Sequence, residues 1–261
     1  MCGIFGFSMM RPVSMDKVFR VLQKLEVHQL PQEPLPLGGY GAGVAILLED
    51  GTVLVEKVGK VDKSPAQFLP GMVKVKTASV LLGHVRMPSP EFMNTAKFKE
   101  TAQPYVVERN PELTVASVHN GKMENYIEVR DKLGPGHVFE SEKYELVDSE
   151  VIPHFFEEMF SEKEDTSQAL YEYFCAIKGS NTAALLQLGE ENSYLHLVHK
   201  GQTRGLTVWT NEKDEIIFCS RKAPLIEEFG RILTKGEFGE KVFIGYHEEA
   251  GLVLSRQLRL K

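Results

Sequence analysis

Apolar residues along this chain recur mostly in short runs of strand length, and only in places at helical spacing. Residues 2–8 form one such run, and residues 43–58 read as a hairpin turning at Glu49-Asp50-Gly51. Further strand-like runs follow at 79–85, 113–119, 182–199, 206–210, 215–220, 241–247 and 251–255. Helical spacing is found in four places. Ser14 is placed to cap a helix running to His28, with Val18, Val21, Leu22 and Leu25 on one face. Residues 125–134 end at a glycine, as helices often do. Residues 149–160 and 167–179 make an amphipathic pair, with Pro153 expected in the first turn of the former, where its missing N–H costs nothing. Strands therefore dominate both ends and helices the middle. Hairpin-length connections imply mostly antiparallel sheets with helices packed on them, an α+β class. No linker or repeat interrupts the pattern, so residues 1–261 are read as one domain. The run Gly39-x-Gly41-x-Gly43 lacks the strand-then-helix spacing of a phosphate loop and reads as close backbone packing.

Composition narrows the function classes. With 43% apolar and 25% charged residues in 261, the chain has ordinary globular composition. Its formal net charge of −6 argues against a nucleic-acid partner, which needs clustered Lys and Arg. No apolar run approaches the roughly 20 residues of a membrane span, and the N-terminus lacks a signal-peptide pattern. A cytoplasmic protein with no membrane partner is expected. The three cysteines, Cys2, Cys175 and Cys219, are too few and too scattered for a disulfide framework. Cys175 and Cys219 lie in apolar segments and read as buried, inert thiols. The histidines show no ligand spacing, so neither a metal nor a cofactor is expected.

Cys2 differs because of its position. Removal of Met1 leaves a residue that carries both a thiol and a free α-amine. A free thiol, with a pKa near about 8.5, is little ionised at neutral pH. An α-amine titrates at about 7.7–8.0 and can take the thiol proton, then return it to a leaving amine. One residue then supplies nucleophile and base. A retained Met1 turns that base into an amide. On position alone, a buried cysteine at the start of a strand is the better reading.

Downstream motifs change the weighting. Gly83-His84-Val85-Arg86-Met87-Pro88-Ser89 closes a strand with an arginine, and Gln103-Pro104-Tyr105 opens another. Val118-His119-Asn120-Gly121 ends a strand in a turn, and Val147-Asp148-Ser149-Glu150 starts a helix. In this order, after Cys2-Gly3-Ile4, the set resembles the glutaminase domains of class II glutamine amidotransferases, in particular the amidotransferase unit of glutamate synthase-like enzymes. Gly39–Ala45 and Cys219–Leu225 extend the resemblance over nearly the whole chain. It implies a four-layer αββα sandwich, the N-terminal nucleophile hydrolase fold. It implies Cys2 as nucleophile and Asn120 with Gly121 as the oxyanion hole. Arg86 would grip the glutamine carboxylate, Asp148 its ammonium, and Ser89 would supply a further substrate contact. His84 and His119 resemble positioning residues of strand ends. Three of these have a structural alternative: a surface or interface ion pair for Arg86, a plain turn for Asn120-Gly121, a helix cap for Asp148. The pattern departs from the family where Met87-Pro88-Ser89-Pro90 replaces an aromatic residue and Ala-Thr, with Pro90 where some members carry a histidine. The polar 87–102 segment is either a closing loop or an ordinary surface loop.

The chemistry implied is hydrolysis of the glutamine side-chain amide, with ammonia delivered to a separate synthase subunit, since no synthase motif follows in the 261 residues. Two alternatives stay open: a γ-glutamyl amide hydrolase without ammonia channelling, and an unprocessed glutamine-binding regulatory subunit.

Overall fold

The computed structural model describes residues 2–258, except Pro111 and Glu191. In chain order the strands are β1 (Gly3–Ser14), β2 (Gly41–Leu47), β3 (Val53–Gly59), β4 (Thr77–Val85), β5 (Tyr105–Asn110) and β6 (Leu113–Gly121). They continue with β7 (Asn181–Gly189), β8 (Ser193–Gln202), β9 (Leu206–Thr210), β10 (Ile216–Cys219), β11 (Gly239–Ile244) and β12 (Glu249–Gln257). The helices are α1 (Met15–Val27), α2 (Leu69–Met72), α3 (Tyr126–Arg130), α4 (Asp148–Lys163), α5 (Thr166–Ala176) and α6 (Lys222–Lys235). A seven-stranded sheet runs β11-β9-β10-β1-β4-β2-β3, and a five-stranded sheet runs β12-β8-β7-β6-β5. The strand pairings among the described residues are antiparallel.

Strand alternation builds the layers. Successive side chains point to opposite faces, so Phe5 and Phe7 of β1 pack in the core under α1 and α6 while Ile4 packs between the sheets. Likewise Leu81 and Ile217 face the helices, and Leu82, Ile216 and Phe218 face inward. The five-stranded sheet mirrors this. Ala116, Val118, Ala184 and Leu186 meet the other sheet, and Val115, Ala183 and Leu185 pack against α4 and α5. Each central strand is buried on both faces, which is why its sequence reads as a nearly continuous apolar run. The result is the expected four-layer αββα sandwich. Gly43 meets its assigned role, since a Cβ there would lie 2.2 Å from the Gln103 carbonyl oxygen.

Several expectations need correction. The first strand runs on to Ser14, because Val13 and Ser14 continue pairing with β4 after an irregularity. The helix expected over 125–134 is helical only over Tyr126–Arg130. Helix α4 starts at Asp148, so Pro153 falls in the second turn and not the first. The earlier start follows from Asp148 and Ser149 being held by neighbouring strand ends, described below. Helix α6 was not anticipated. Leu225, Phe229 and Leu233 recur every fourth residue and are buried, but charged residues and Gly230 obscure the stripe. Cys175 is exposed, whereas Cys219 is fully buried and burial pushes its thiol up to about 12. Among the described residues no helix is long and apolar enough to cross a membrane.

Candidate active site

The start of β1 lies beside the end of β4, with Gly3 opposite Val85. Cys2 and Arg86 therefore become neighbours across one strand pair. The Met87 backbone N–H donates to Cys2 Sγ at 3.4 Å, and the thiol lies 3.5 Å from the Met87 carbonyl oxygen. Cys2 is half-buried. Met1, whose removal the expectation of Cys2 as nucleophile requires, lies outside the described residues.

Arg86 is 3% exposed. Its backbone N–H donates to the Gly41 carbonyl at 2.8 Å, and its carbonyl accepts the Tyr40 N–H at 3.0 Å. Its Nη1 donates to the Thr101 hydroxyl at 2.6 Å, while Nη2 has no partner. Burial lowers the Arg86 pKa, and Tyr105, Cys2 and Asp148 act in the opposite direction. The guanidinium is thus within electrostatic reach of both the thiol and the carboxylate. Among the described residues no carboxylate is paired with it, and at 3% exposure it forms no surface ion pair.

Across the sandwich, β6 ends at His119-Asn120-Gly121. Asn120 is fully buried, yet neither its side-chain oxygen nor its nitrogen has a partner. Leaving a buried amide unpaired costs about 1–3 kcal/mol per group. Gly121 has φ of 152°, and a Cβ there would lie 2.0 Å from the Ser180 carbonyl oxygen. Only glycine fits this turn. The strand end is clamped by Gln103. Its Oε1 accepts the His119 N–H at 2.5 Å, and its Nε2 donates to the His119 carbonyl at 3.2 Å.

Asp148 opens α4, with Val147 as the residue before it, and is 6% exposed. It is no helix cap. Its Oδ2 accepts the Met123 N–H at 2.9 Å, which ties it to the turn after Gly121. The Ser149 hydroxyl lies 2.9 Å from His119 Nδ1 and donates to Asp148 Oδ1 at 3.3 Å. His84 and His119 are fully buried between the strand ends, and burial lowers both pKa values, for His84 well below its ordinary value. Both are held neutral, which suits positioning groups and not cations. Ser89 lies three residues beyond Arg86. It precedes a short 3-10 helix over Pro90–Thr95, and its hydroxyl donates to Glu91 at 3.2 Å. Lys122, just after Gly121, pairs with Glu91 at 3.0 Å and links the Asn120-Gly121 turn to the 87–102 segment.

The structure thus gathers Cys2, Arg86 and Asp148 within electrostatic reach and binds Asp148 to the Asn120-Gly121 turn. Sequence reasoning overlooked Thr101, Gln103 and Ser149 as the residues that hold these groups. The Gln103-Pro104 motif was the available signal for one of them.

No protein-family profile matches the chain. Curated relatives do. The glutamine–fructose-6-phosphate aminotransferase (isomerizing) of Aquifex aeolicus is 29% identical over 245 residues, covering 92% of this chain and 36% of the relative. That of Thermosynechococcus vestitus is 30% identical over 242 residues, covering 91% of this chain and 31% of the relative. The chain belongs to the class II glutamine amidotransferases. It spans about a third of the length of these relatives. Among solved structures, glutamine phosphoribosylpyrophosphate amidotransferase from B. subtilis aligns with 97% of this chain and 49% of its own, at a TM-score of 0.63 and 16% identity. At that identity the likeness concerns the fold, the N-terminal nucleophile hydrolase sandwich that this family shares.

Proposed function

We propose that this chain is a single glutaminase domain that hydrolyses the side-chain amide of glutamine. The observation that carries the reading is two buried side chains with unpartnered polar atoms, Arg86 Nη2, within electrostatic reach of the Cys2 thiol, and the Asn120 amide at the end of β6. Arg86 Nη2 receives the α-carboxylate, as a planar guanidinium suits a carboxylate better than an ammonium does. Asp148 receives the α-ammonium, and Ser89 adds a contact from the 87–102 segment. With Met1 removed, the α-amine takes the thiol proton and Cys2 Sγ attacks the amide carbon. The Asn120 side-chain amide and the Gly121 N–H donate to the oxygen that gains charge. The C–N bond breaks as the amine returns its proton, and ammonia leaves. Water then cleaves the γ-glutamyl thioester to release glutamate and restore the thiol. Ammonia passes to a synthase unit outside the described residues, in a separate subunit.

A glutaminase assay on protein whose N-terminus has been verified by mass spectrometry tests the reaction. Processed wild type should release ammonia from glutamine, and Cys2→Ala should release none while still binding glutamine. Absence of turnover by processed protein, with and without candidate synthases, would sink the proposal. Turnover by Cys2→Ala would remove Cys2 from the role of nucleophile.

A further inference from the structure

A second cluster of titratable side chains lies apart from Cys2, where α4 packs on β5. His154, Glu157 and Glu158 stand three and four residues apart on α4 and share one face. His137 reaches them from the loop after α3. His137 Nε2 lies 3.0 Å from Glu158 Oε2 and 4.0 Å from Glu157 Oε2. The His137, Glu157 and Glu158 side chains are 2%, 0% and 14% exposed. One ring nitrogen and two carboxylate oxygens therefore converge almost out of water. Donors each about 2.1 Å from one tetrahedral ion stand roughly 3.4 Å apart, and the two separations found straddle that value.

The far side of each group is already fixed. Glu158 Oε1 accepts the Gly134 N–H at 3.0 Å, and Glu157 Oε1 accepts the Ser161 hydroxyl at 3.1 Å. His137 Nδ1 lies 2.9 Å from His154 Nδ1. That contact needs one proton between two ring nitrogens. In the empty site Nε2–H donates to Glu158 Oε2 at 3.0 Å, so Nδ1 accepts the proton that His154 carries. An ion in place of the Nε2 proton would take that lone pair, with the shared proton then on His137 Nδ1 and His154 as its acceptor. Metal-bound imidazoles are oriented by such an outer partner on the second nitrogen.

Arg109 now supplies the countercharge. Its Nε donates to Glu157 Oε2 at 2.9 Å, and its Nη2 to Glu158 Oε2 at 2.6 Å and Glu157 Oε1 at 3.3 Å. At 29% exposure it is the most accessible member and can turn to solvent. We propose that His137, Glu157 and Glu158 form a site for a divalent transition-metal ion that exchanges against the Arg109 guanidinium. The site is empty here. An imidazole with two carboxylates suits zinc better than the all-oxygen shell calcium prefers. The bound ion pins the 131–140 loop to the helix whose first residue is Asp148.

Calorimetric titration of zinc into the full chain, with thermal unfolding followed in parallel, tests the site. The Cys2→Ala background is used, because a thiol beside a free amine is itself a zinc ligand. One equivalent should bind and raise Tm. His137→Ala and Glu158→Gln should abolish both effects, and His154→Phe should weaken binding by about 10–100-fold. Arg109→Gln should tighten it, by about tenfold, because a competing cation is gone. Absence of binding, binding that survives His137→Ala, or weaker binding in Arg109→Gln would each overturn the proposal. The Arg109 arm decides the matter even where the His137 variant fails to fold.

Discussion

Arg86 is a buried cation with half of its fork committed to Thr101 and half unpartnered. Lysine has a single ammonium and cannot hold Thr101 and a carboxylate in the same plane. Arg86→Lys should raise KM for glutamine by at least about tenfold, the equivalent of roughly 1.4 kcal/mol, with little change in Tm. An unchanged KM would make Arg86 structural. Asn120 is expected to act at the other end of the reaction. Asn120→Ala should lower kcat by about 10²–10³ with a smaller effect on KM, as for other oxyanion donors; equal loss in substrate binding and kcat would argue against that role. Residues of this kind were legible because each closes a strand or opens a helix within a short motif. Their supports were not. Thr101 and Gln103 reach Arg86 and His119 across 15 and 16 residues of chain, a separation no local pattern encodes.

At the scale of elements, the outcome depended on whether an apolar pattern was uninterrupted. The central strands announced themselves because both faces are buried. The β2–β3 hairpin turned where Glu49-Asp50-Gly51 placed it, between Leu47 and Val53. Helix α6 stayed hidden because a narrow buried stripe runs through a charged segment. Helix α4 began early because its first turn is bound to the β6 turn, a tertiary effect. The β6 end is the element on which the site depends, and Gly121 is its tightest point. Gly121→Ala must either move the Ser180 carbonyl or distort the turn, so thermal unfolding should show a loss of at least about 1–3 kcal/mol, in the range of overpacked sites. Gln103→Leu removes both bonds to His119 and leaves two buried backbone groups unpaired, a cost of about 1–3 kcal/mol for each. Its Tm should fall and kcat should fall with it, because Asn120 follows His119 directly. A Gln103→Leu protein with native Tm and full kcat would show that the clamp is dispensable.

Over the whole molecule, burial of ionisable groups between layers couples folding to pH, and two residues pull in opposite directions. Glu150 is 2% exposed, and burial raises its pKa to about 7 despite donors from Glu140 and Ser141. Below the ordinary carboxylate range both states hold the proton and nothing is lost. As pH rises toward 7, the unfolded chain releases the proton first, and stability falls by up to roughly 3 kcal/mol at about 1.4 kcal/mol per unit. His196 is fully buried between Gln187 and Ser255, and burial lowers its pKa to about 3. Its contribution is intact above the ordinary histidine range and is lost as pH falls from about 6.5 to about 3, because only the unfolded chain takes up the proton. The larger span belongs to His196, on the order of 5 kcal/mol. His196→Gln keeps partners for Gln187 and Ser255 but cannot take up a proton, so its acid-unfolding midpoint should move to lower pH relative to wild type. Glu150→Gln should instead flatten the Tm profile between about pH 4.5 and 7. Profiles that run parallel to wild type in both variants would mean that neither group changes protonation on unfolding, and that acid sensitivity arises elsewhere in the sandwich.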